Sequence, residues 1–316
     1  MTTAAGTGEG TGAEMGAGTG PGAGAGRRSA GAVIRELTLS SRPLSWVNTA
    51  YPFGAAYLMS TREVDLTFVV GVLFFLVPYN LLMYGINDVF DYESDLKNPR
   101  KGGVEGALLD RRLHRTTLLA STLLPVPFVA YLVAVGDPLS WLVLAFSLFA
   151  VVAYSAPRLR FKERPVLDSM TSSTHFVSPA LYGLVLAGNG IGAGAWWVLA
   201  GFFLWGMASQ AFGAVQDVVA DRAAGIGSVA TVLGARPTVW FAFAAYAVGG
   251  LLMLAVPWPG PLAALLVLPY LAIVWQFRGI TDETAETANR GWRQFLGANY
   301  VVGFLVTMLL IWAVLR

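Results

Sequence analysis

Residues 84–103, YGINDVFDYESDLKNPRKGG, place Asn87, Asp88, Asp91 and Asp95 directly behind an apolar run, Leu66 to Ile86, that is long enough to cross a bilayer. Charged side chains at a membrane edge cost free energy and are rarely placed there without a partner. On a helix turning about 100° per residue, Asn87 sits at about 0°, Asp91 at about 40°, Asp95 at about 80° and Asp88 at about 100°. These four share one face, while Glu93 points away at about 240°. A second acidic pair, Asp217 and Asp221 in VQDVVAD, is spaced four residues apart and also shares a face. Converging oxygen ligands of this kind suit a hard divalent cation, and an open carboxylate site with room for phosphate suits Mg²⁺.

A calcium loop of the EF-hand type is the obvious rival, because Asp91, Glu93 and Asp95 match its first three ligand positions. It fails at the next two positions. Leu96 stands where glycine is needed, and Gly102 stands where the bidentate glutamate belongs. Basic residues lie close to the acidic ones. Arg100 and Lys101 follow the first cluster, and YSAPRLRFKERP (154–165) supplies Arg158, Arg160, Lys162 and Arg164. As membrane-topology signals alone, these cations account for their number but not for their place beside the carboxylates. A diphosphate accounts for both: Mg²⁺ bridges carboxylate to phosphate, and Lys and Arg neutralise the remaining charge.

The elements that must position these residues are helices in a membrane. Apolar segments recur at about 44–60, 66–86, 116–135, 139–155, 170–188, 194–216, 237–256, 260–277 and 296–315. Each is near the roughly 20 residues that a spanning helix needs, the first being short and interrupted by Pro52. The expectation is an all-α membrane protein of nine transmembrane helices around a central cavity. With nine crossings, one side holds the N-terminal segment and segments 87–115, 156–169, 217–236 and 278–295, which carry four, six, four, two and three Lys or Arg. The other side keeps only Arg62 and Arg316. The positive-inside rule then puts the N-terminus and the acidic motifs on the cytoplasmic side and the C-terminus outside.

Composition agrees. Of the 316 residues, 55% are hydrophobic and 13% charged, whereas a soluble domain carries about a quarter charged residues. The net charge of +2 gives no reason to expect a nucleic-acid partner. The absence of cysteine excludes disulfides, thiolate metal sites and cysteine nucleophiles together. Residues 1–30, rich in Gly, Ala and Thr, read as a disordered tail ahead of one membrane domain over 31–316. Arg27 and Arg28 read as a basic flank of that tail, since no apolar stretch follows promptly. Four apolar segments separate INDVFD from VQDVVAD, and their likeness suggests a diverged repeat of two half-bundles. Two acidic clusters at equivalent points of such halves would face each other.

NDVFDYESD resembles the first N-D-x-x-D-x-x-x-D motif of the UbiA superfamily of intramembrane prenyltransferases, and DVVAD (217–221) resembles its second D-x-x-x-D motif. The resemblance covers about residues 40–316, and within the superfamily it points to lycopene elongases, which make C50 carotenoids. It implies a UbiA-type fold. It also implies a metal–diphosphate site built from Asn87, Asp88, Asp91 and Asp95 with Asp217 and Asp221, and gives Tyr154 and Lys162 to the loop beside the diphosphate. Arg42 and Asn48, in RPLSWVNTAYP, match positions on the acceptor side more loosely. Ala220 stands where the first motif has Asp91, so the second copy would hold its metal less completely.

The implied reaction is an allylic substitution, in which the C–O bond of dimethylallyl diphosphate breaks to an allyl cation and a terminal double bond of lycopene attacks it. The tertiary cation that forms then loses a proton or takes up water. A lipid-enclosed site keeps water from the first cation. His175, in the fifth apolar segment, either packs and hydrogen-bonds there or takes the final proton. A carotenoid cyclase or hydratase is the implied partner. Two other readings stand beside this one. A related prenyltransferase would use an aromatic acceptor, such as a quinone or tetrapyrrole precursor. A cation transporter would carry its acidic residues nearer mid-membrane than these motifs lie.

Overall fold

The computed structural model describes residues 29–96 and 109–315, the side chains of Ser94 and Asp95 excepted. The Ser29 hydroxyl accepts the Ala32 N–H (3.3 Å) and starts α1, Ala30–Ser40. A short 3-10 turn, Pro43–Ser45, leads into α2, Val47–Thr61. The Asp65 carboxylate accepts the Phe68 N–H (2.7 Å) and caps α3, Leu66–Leu76. Pro78, which needs no N–H partner at a first helical position, opens α4, Pro78–Phe90. The short α5 spans Tyr92–Asp95. Then come α6, His114–Leu123, and α7, Val126–Val135, parted at Pro125. A reciprocal cap between Asp137 and Ser140 begins α8, Pro138–Ser155.

The second half continues with α9, Leu167–Leu186; α10, Ala193–Val215; α11, Val218–Ala224; α12, Val229–Leu233; and α13, Ala235–Leu252. A 3-10 stretch, Gly260–Val267, runs into α14, Leu268–Trp275, and α15, Ala288–Leu315, ends the described chain. No strand occurs among the described residues.

All nine apolar segments are helical, but they do not qualify equally as spans. Among the described residues six stretches are long and apolar enough to cross a membrane: Leu66–Phe90, Arg111–Val135, Pro138–Ser155, Ala193–Val215, Ala235–Ala255 and Asp282–Leu315. Gly260–Trp275 is apolar but shorter. The expected nine crossings therefore stand at six by length and hydropathy. The physical reason differs for each shortfall. The 15-residue α2 contains Pro52, and α9 carries Asp168, His175 and a run of Ser and Thr on faces turned inward. The outer faces show the reverse of a soluble protein. Trp141, Leu142, Phe146 and Phe149 on α8, and Tyr300, Val301 and Phe304 on α15, are exposed, as lipid-facing side chains should be.

Two aromatic-rich cores divide the molecule. One gathers Phe53, Phe74, Phe75, Tyr79, Val151 and Tyr182, with the Phe75 and Tyr79 ring centroids 5.0 Å apart. The other gathers Phe212, Val239, Tyr246, Tyr270 and Phe295, with Tyr246 stacked on Tyr270 at 5.3 Å. Helices α9 and α10 pack against each other between them. Close approach is made possible by glycine: a Cβ on Gly183 of α9 would lie 2.7 Å from the Phe53 carbonyl oxygen of α2. Several interior polar groups pair with one another, as an apolar surrounding favours. Tyr79, Ser147 and Ser178 form a chain (3.1 and 2.7 Å), and the Asn80 amide donates to Thr49 (2.7 Å) and to the Phe75 carbonyl (2.8 Å).

Candidate active site

Asn87 and Asp88 lie in the last turn of α4, and the helix ends just after them at Phe90. Asp91 is the capping residue, with φ −99° and ψ 0°, and the chain restarts as α5 at Tyr92. The helix is thus interrupted within the motif, although the Asp91 N–H still bonds the Asn87 carbonyl (2.9 Å), and Asn87, Asp88 and Asp91 each address a different neighbour. The Asn87 amide donates to the Ser155 hydroxyl at the end of α8 (2.9 Å). Asp88, 2% exposed, accepts from the Ser40 hydroxyl (2.8 Å) with one oxygen and from the Arg42 guanidinium (3.2 Å) with the other. Asp91, 4% exposed, accepts from Lys162 on one oxygen and from Arg160 (3.4 Å) on the other. The side chain of Asp95, and Arg100 and Lys101 entirely, lie outside the described residues.

The cations reach these acids through a tightly bent loop. Between α8 and α9 the chain forms a 3-10 turn, Phe161–Glu163, entered through left-handed backbone at Arg158 (φ 74°) and Arg160 (φ 40°). Arg42 is left-handed too (φ 52°). Non-glycine residues rarely adopt this region, and those that do concentrate where surrounding contacts impose it. Arg42 and Arg160 are so imposed: each is anchored on a buried aspartate, and Arg42 also lies over the Tyr84 ring, 4.3 Å from its centroid. Arg160 also pairs with Glu163 and holds its carboxyl below the usual carboxylate range. Arg158 does not join the acids: it is exposed, and its carbonyl accepts from Arg164 (3.0 Å).

Tyr154 stands one residue before Ser155, near enough to Asp168, Asp91 and Arg42 to feel their charges. Its ring packs edge-on against His175 of α9, with centroids 5.2 Å apart. Asn48 is exposed in the first turn of α2, one residue before the buried Thr49.

The second acidic motif adjoins the same loop. Asp217 precedes α11 and Asp221 lies within it, the Asp221 N–H bonding the Asp217 carbonyl (2.8 Å), so the expected shared face is formed. Gly225, at φ 71°, ends α11 in a conformation open mainly to glycine and turns the chain back. Gly227 then packs on the Glu163 carbonyl, and the Val229 N–H donates to the buried Asp168 (3.0 Å) at the head of α9. Segment 217–229 is thereby fastened to the loop whose Lys162 holds Asp91. Beside it, Asn289 of α15 donates to Gln216 (2.6 Å) at the rim of a hollow of about 580 Å³ lined by Phe277, Arg290 and Arg293.

The sequence reading missed Ser40, Ser155 and Asp168 as members of this assembly. Serine carries no composition signal of its own, and α1 lies ahead of the first apolar segment. Asp168 stood in the sequence as an isolated acid, without the spacing that marked the other aspartates.

The donor set fits a hard divalent cation chemically, being carboxylate and carboxamide oxygen throughout. Among the described residues no group of three acidic or imidazole side chains is yet drawn together as a metal site. Asp88 and Asp91 are each met by cations instead.

Comparison with known proteins gives a consistent answer. The pattern of the UbiA prenyltransferase family matches residues 49–300. The chain is 57% identical over 290 residues to the C(50) beta-cyclic carotenoids biosynthesis protein LbtBC of Dietzia sp. (strain CQ4), covering 92% of this chain and 67% of that one. It is 53% identical over 278 residues to the lycopene elongase/hydratase of Corynebacterium glutamicum, covering 88% of this chain and 97% of the relative. Among solved structures, a UbiA homolog from Archaeoglobus fulgidus bound to DMAPP and Mg²⁺ has the same fold, with a TM-score of 0.62 at 17% identity over 84% of this chain and 98% of that one.

Proposed function

The chain belongs to the UbiA prenyltransferase family, and on that premise we propose that it is a lycopene elongase, transferring a dimethylallyl group from dimethylallyl diphosphate to the ends of lycopene. The observation that carries the reading is the meeting of Asp91 with Lys162 and Arg160, which brings the first acidic motif and the cationic loop to one point at the end of the bundle. The acceptor is inferred from the relatives, whose printed names concern lycopene and C50 carotenoids.

In this proposal Asn87, Asp91, Asp95, Asp217 and Asp221 hold Mg²⁺ with the diphosphate. When bound, the metal draws charge onto the leaving oxygen and so eases cleavage of the C–O bond. The chain's own residues supply the rest. Lys162, Arg160 and Arg42 neutralise the diphosphate oxygens, each swung from the carboxylate that holds it now. Asp88 joins the metal ligands as Arg42 turns to the diphosphate, while its other oxygen stays with Ser40. Tyr154 closes the apolar side of the site, and the surrounding helices keep water from the allyl cation. The motifs and the cationic loop lie on the cytoplasmic side of the cell membrane.

The test is incubation of purified protein with labelled dimethylallyl diphosphate and lycopene, against hydroxybenzoate and a naphthoate as acceptors. Label entering lycopene, lost on chelation and restored by Mg²⁺, is the expected result. Label entering an aromatic acceptor instead replaces the elongase reading with that of an aromatic prenyltransferase.

A further inference from the structure

His175 is 3% exposed in the middle of α9, and neither ring nitrogen has a hydrogen-bond partner. A buried imidazole with both nitrogens unmatched bears the desolvation cost of two unmade hydrogen bonds, so such a residue calls for an explanation. Packing alone is a poor one, since a Phe or Leu would fill the same space without that cost. Its location is informative. The Tyr154 ring lies edge-on against it, and Tyr154 in turn senses the charges of Asp91, Asp168 and Arg42. Along α9, His175 is seven residues past Asp168, or about 10 Å deeper than the charged end of the bundle.

We infer that His175 is the base that receives the proton released when the cation on the extended carotenoid is quenched. The inference rests on the prenyl-transfer reading above. The bookkeeping of bonds is closed without any further reagent but water. The C–O pair leaves with diphosphate, and the carotenoid double bond then gives its electron pair to the allyl cation, which puts the positive charge on a tertiary carbon. A ring nitrogen of His175 then takes a proton from the neighbouring carbon, and the C–H pair becomes a double bond. Alternatively, water adds to the cation and the same nitrogen takes the proton from the added oxygen. A neutral imidazole presents one unprotonated nitrogen for either step. Because that nitrogen has no partner of its own, no bond must be broken before the proton arrives.

Two variants test this, His175→Gln, which keeps most of the size and polarity, and His175→Ala. Diphosphate release and carotenoid products are measured in parallel for each. The expected result is a fall of about 100-fold or more in extended carotenoid, as removal of a general base produces. Diphosphate release should fall much less, because an unquenched carotenoid cation reverts by breaking the new C–C bond, and water captures the allyl cation so released as five-carbon alcohol. Added imidazole should restore product formation in His175→Ala but not in His175→Gln, where no space has been opened. Unchanged product rate and product pattern in a correctly inserted His175→Gln overturns the inference. So does a parallel loss of diphosphate release and product in both variants without imidazole rescue, which would mark a positioning role. A wild-type enzyme that forms no extended carotenoid overturns the elongase reading as well; a working wild type beside unaffected variants overturns this inference alone.

Discussion

Asp91 and Lys162 are the pair on which the chemistry turns. A surface carboxylate can be removed for within about 0.5 kcal/mol, but Asp91 is buried and faces two cations. Asp91→Asn keeps the shape of the side chain and removes its charge, so it should cut turnover by about 100-fold or more while leaving membrane insertion intact. Steady-state kinetics beside a size-exclusion profile in detergent checks this, and near-normal Mg²⁺-dependent turnover would sink the metal-site reading. Lys162→Gln should lower kcat/KM for the allylic diphosphate by about 10- to 100-fold, the equivalent of about 1.5–3 kcal/mol for a charged hydrogen bond. Orientation in the membrane should not change, because Arg158, Arg160 and Arg164 still supply positive charge. Lys162→Arg should recover only part of the loss, since the guanidinium is broader and planar. A cysteine-accessibility map run on the same variants is clean, as the native chain has no cysteine.

Between helices, the site depends on how closely α9 can approach its neighbours. Its first turn carries Asp168, which grips α12, and its middle carries His175 against α8. Gly183 sets the far end, where its bare Cα lets the α2 backbone come near. Gly183→Val would press a side chain onto the Phe53 carbonyl, 2.7 Å from where its Cβ must sit. Backbone on both sides leaves little room for relief, so the variant should lose about 1–3 kcal/mol of stability. A thermal melt in detergent should register this as a lower Tm, and an unchanged melt would mean that α2 and α9 separate more easily than their packing implies. Because the substitution is remote from the aspartates, activity surviving in the folded fraction is expected at low temperature.

For the molecule as a whole, the apolar exterior and the two aromatic cores make one membrane-embedded bundle, with its polar chemistry gathered where helices end. Residues 1–28 are rich in Gly, Ala and Thr and offer little apolar surface to bury. Deleting residues 2–26 leaves Ser29, α1 and Ser40 in place, so turnover should stay within about twofold of the full chain. Radiolabel transfer by the truncated protein measures this directly. Normal insertion with lost turnover would give the tail a role that its Gly- and Ala-rich sequence does not foreshadow.

The sequence by itself determined the membrane class, the helical architecture, the two acidic motifs and the cationic loop after α8. These are local properties: apolar length decides whether a helix can enter lipid, and motif spacing decides which carboxylates lie a turn apart. Length and hydropathy alone support six of the nine expected crossings among the described residues, since a polar inward face lets α9 be helical without being uniformly apolar. Only the tertiary structure decided which acid meets which cation. Ser40 and Asp88 are 48 positions apart, Asn87 and Ser155 are 68 apart, and Asp91 and Lys162 are 71 apart. Nothing in local periodicity fixes such pairs; they follow from how α1, α4 and α8 dock and from the turn that ends α4 at Asp91. The same packing leaves His175 without a partner, a condition set by every side chain around it rather than by its own place in the chain.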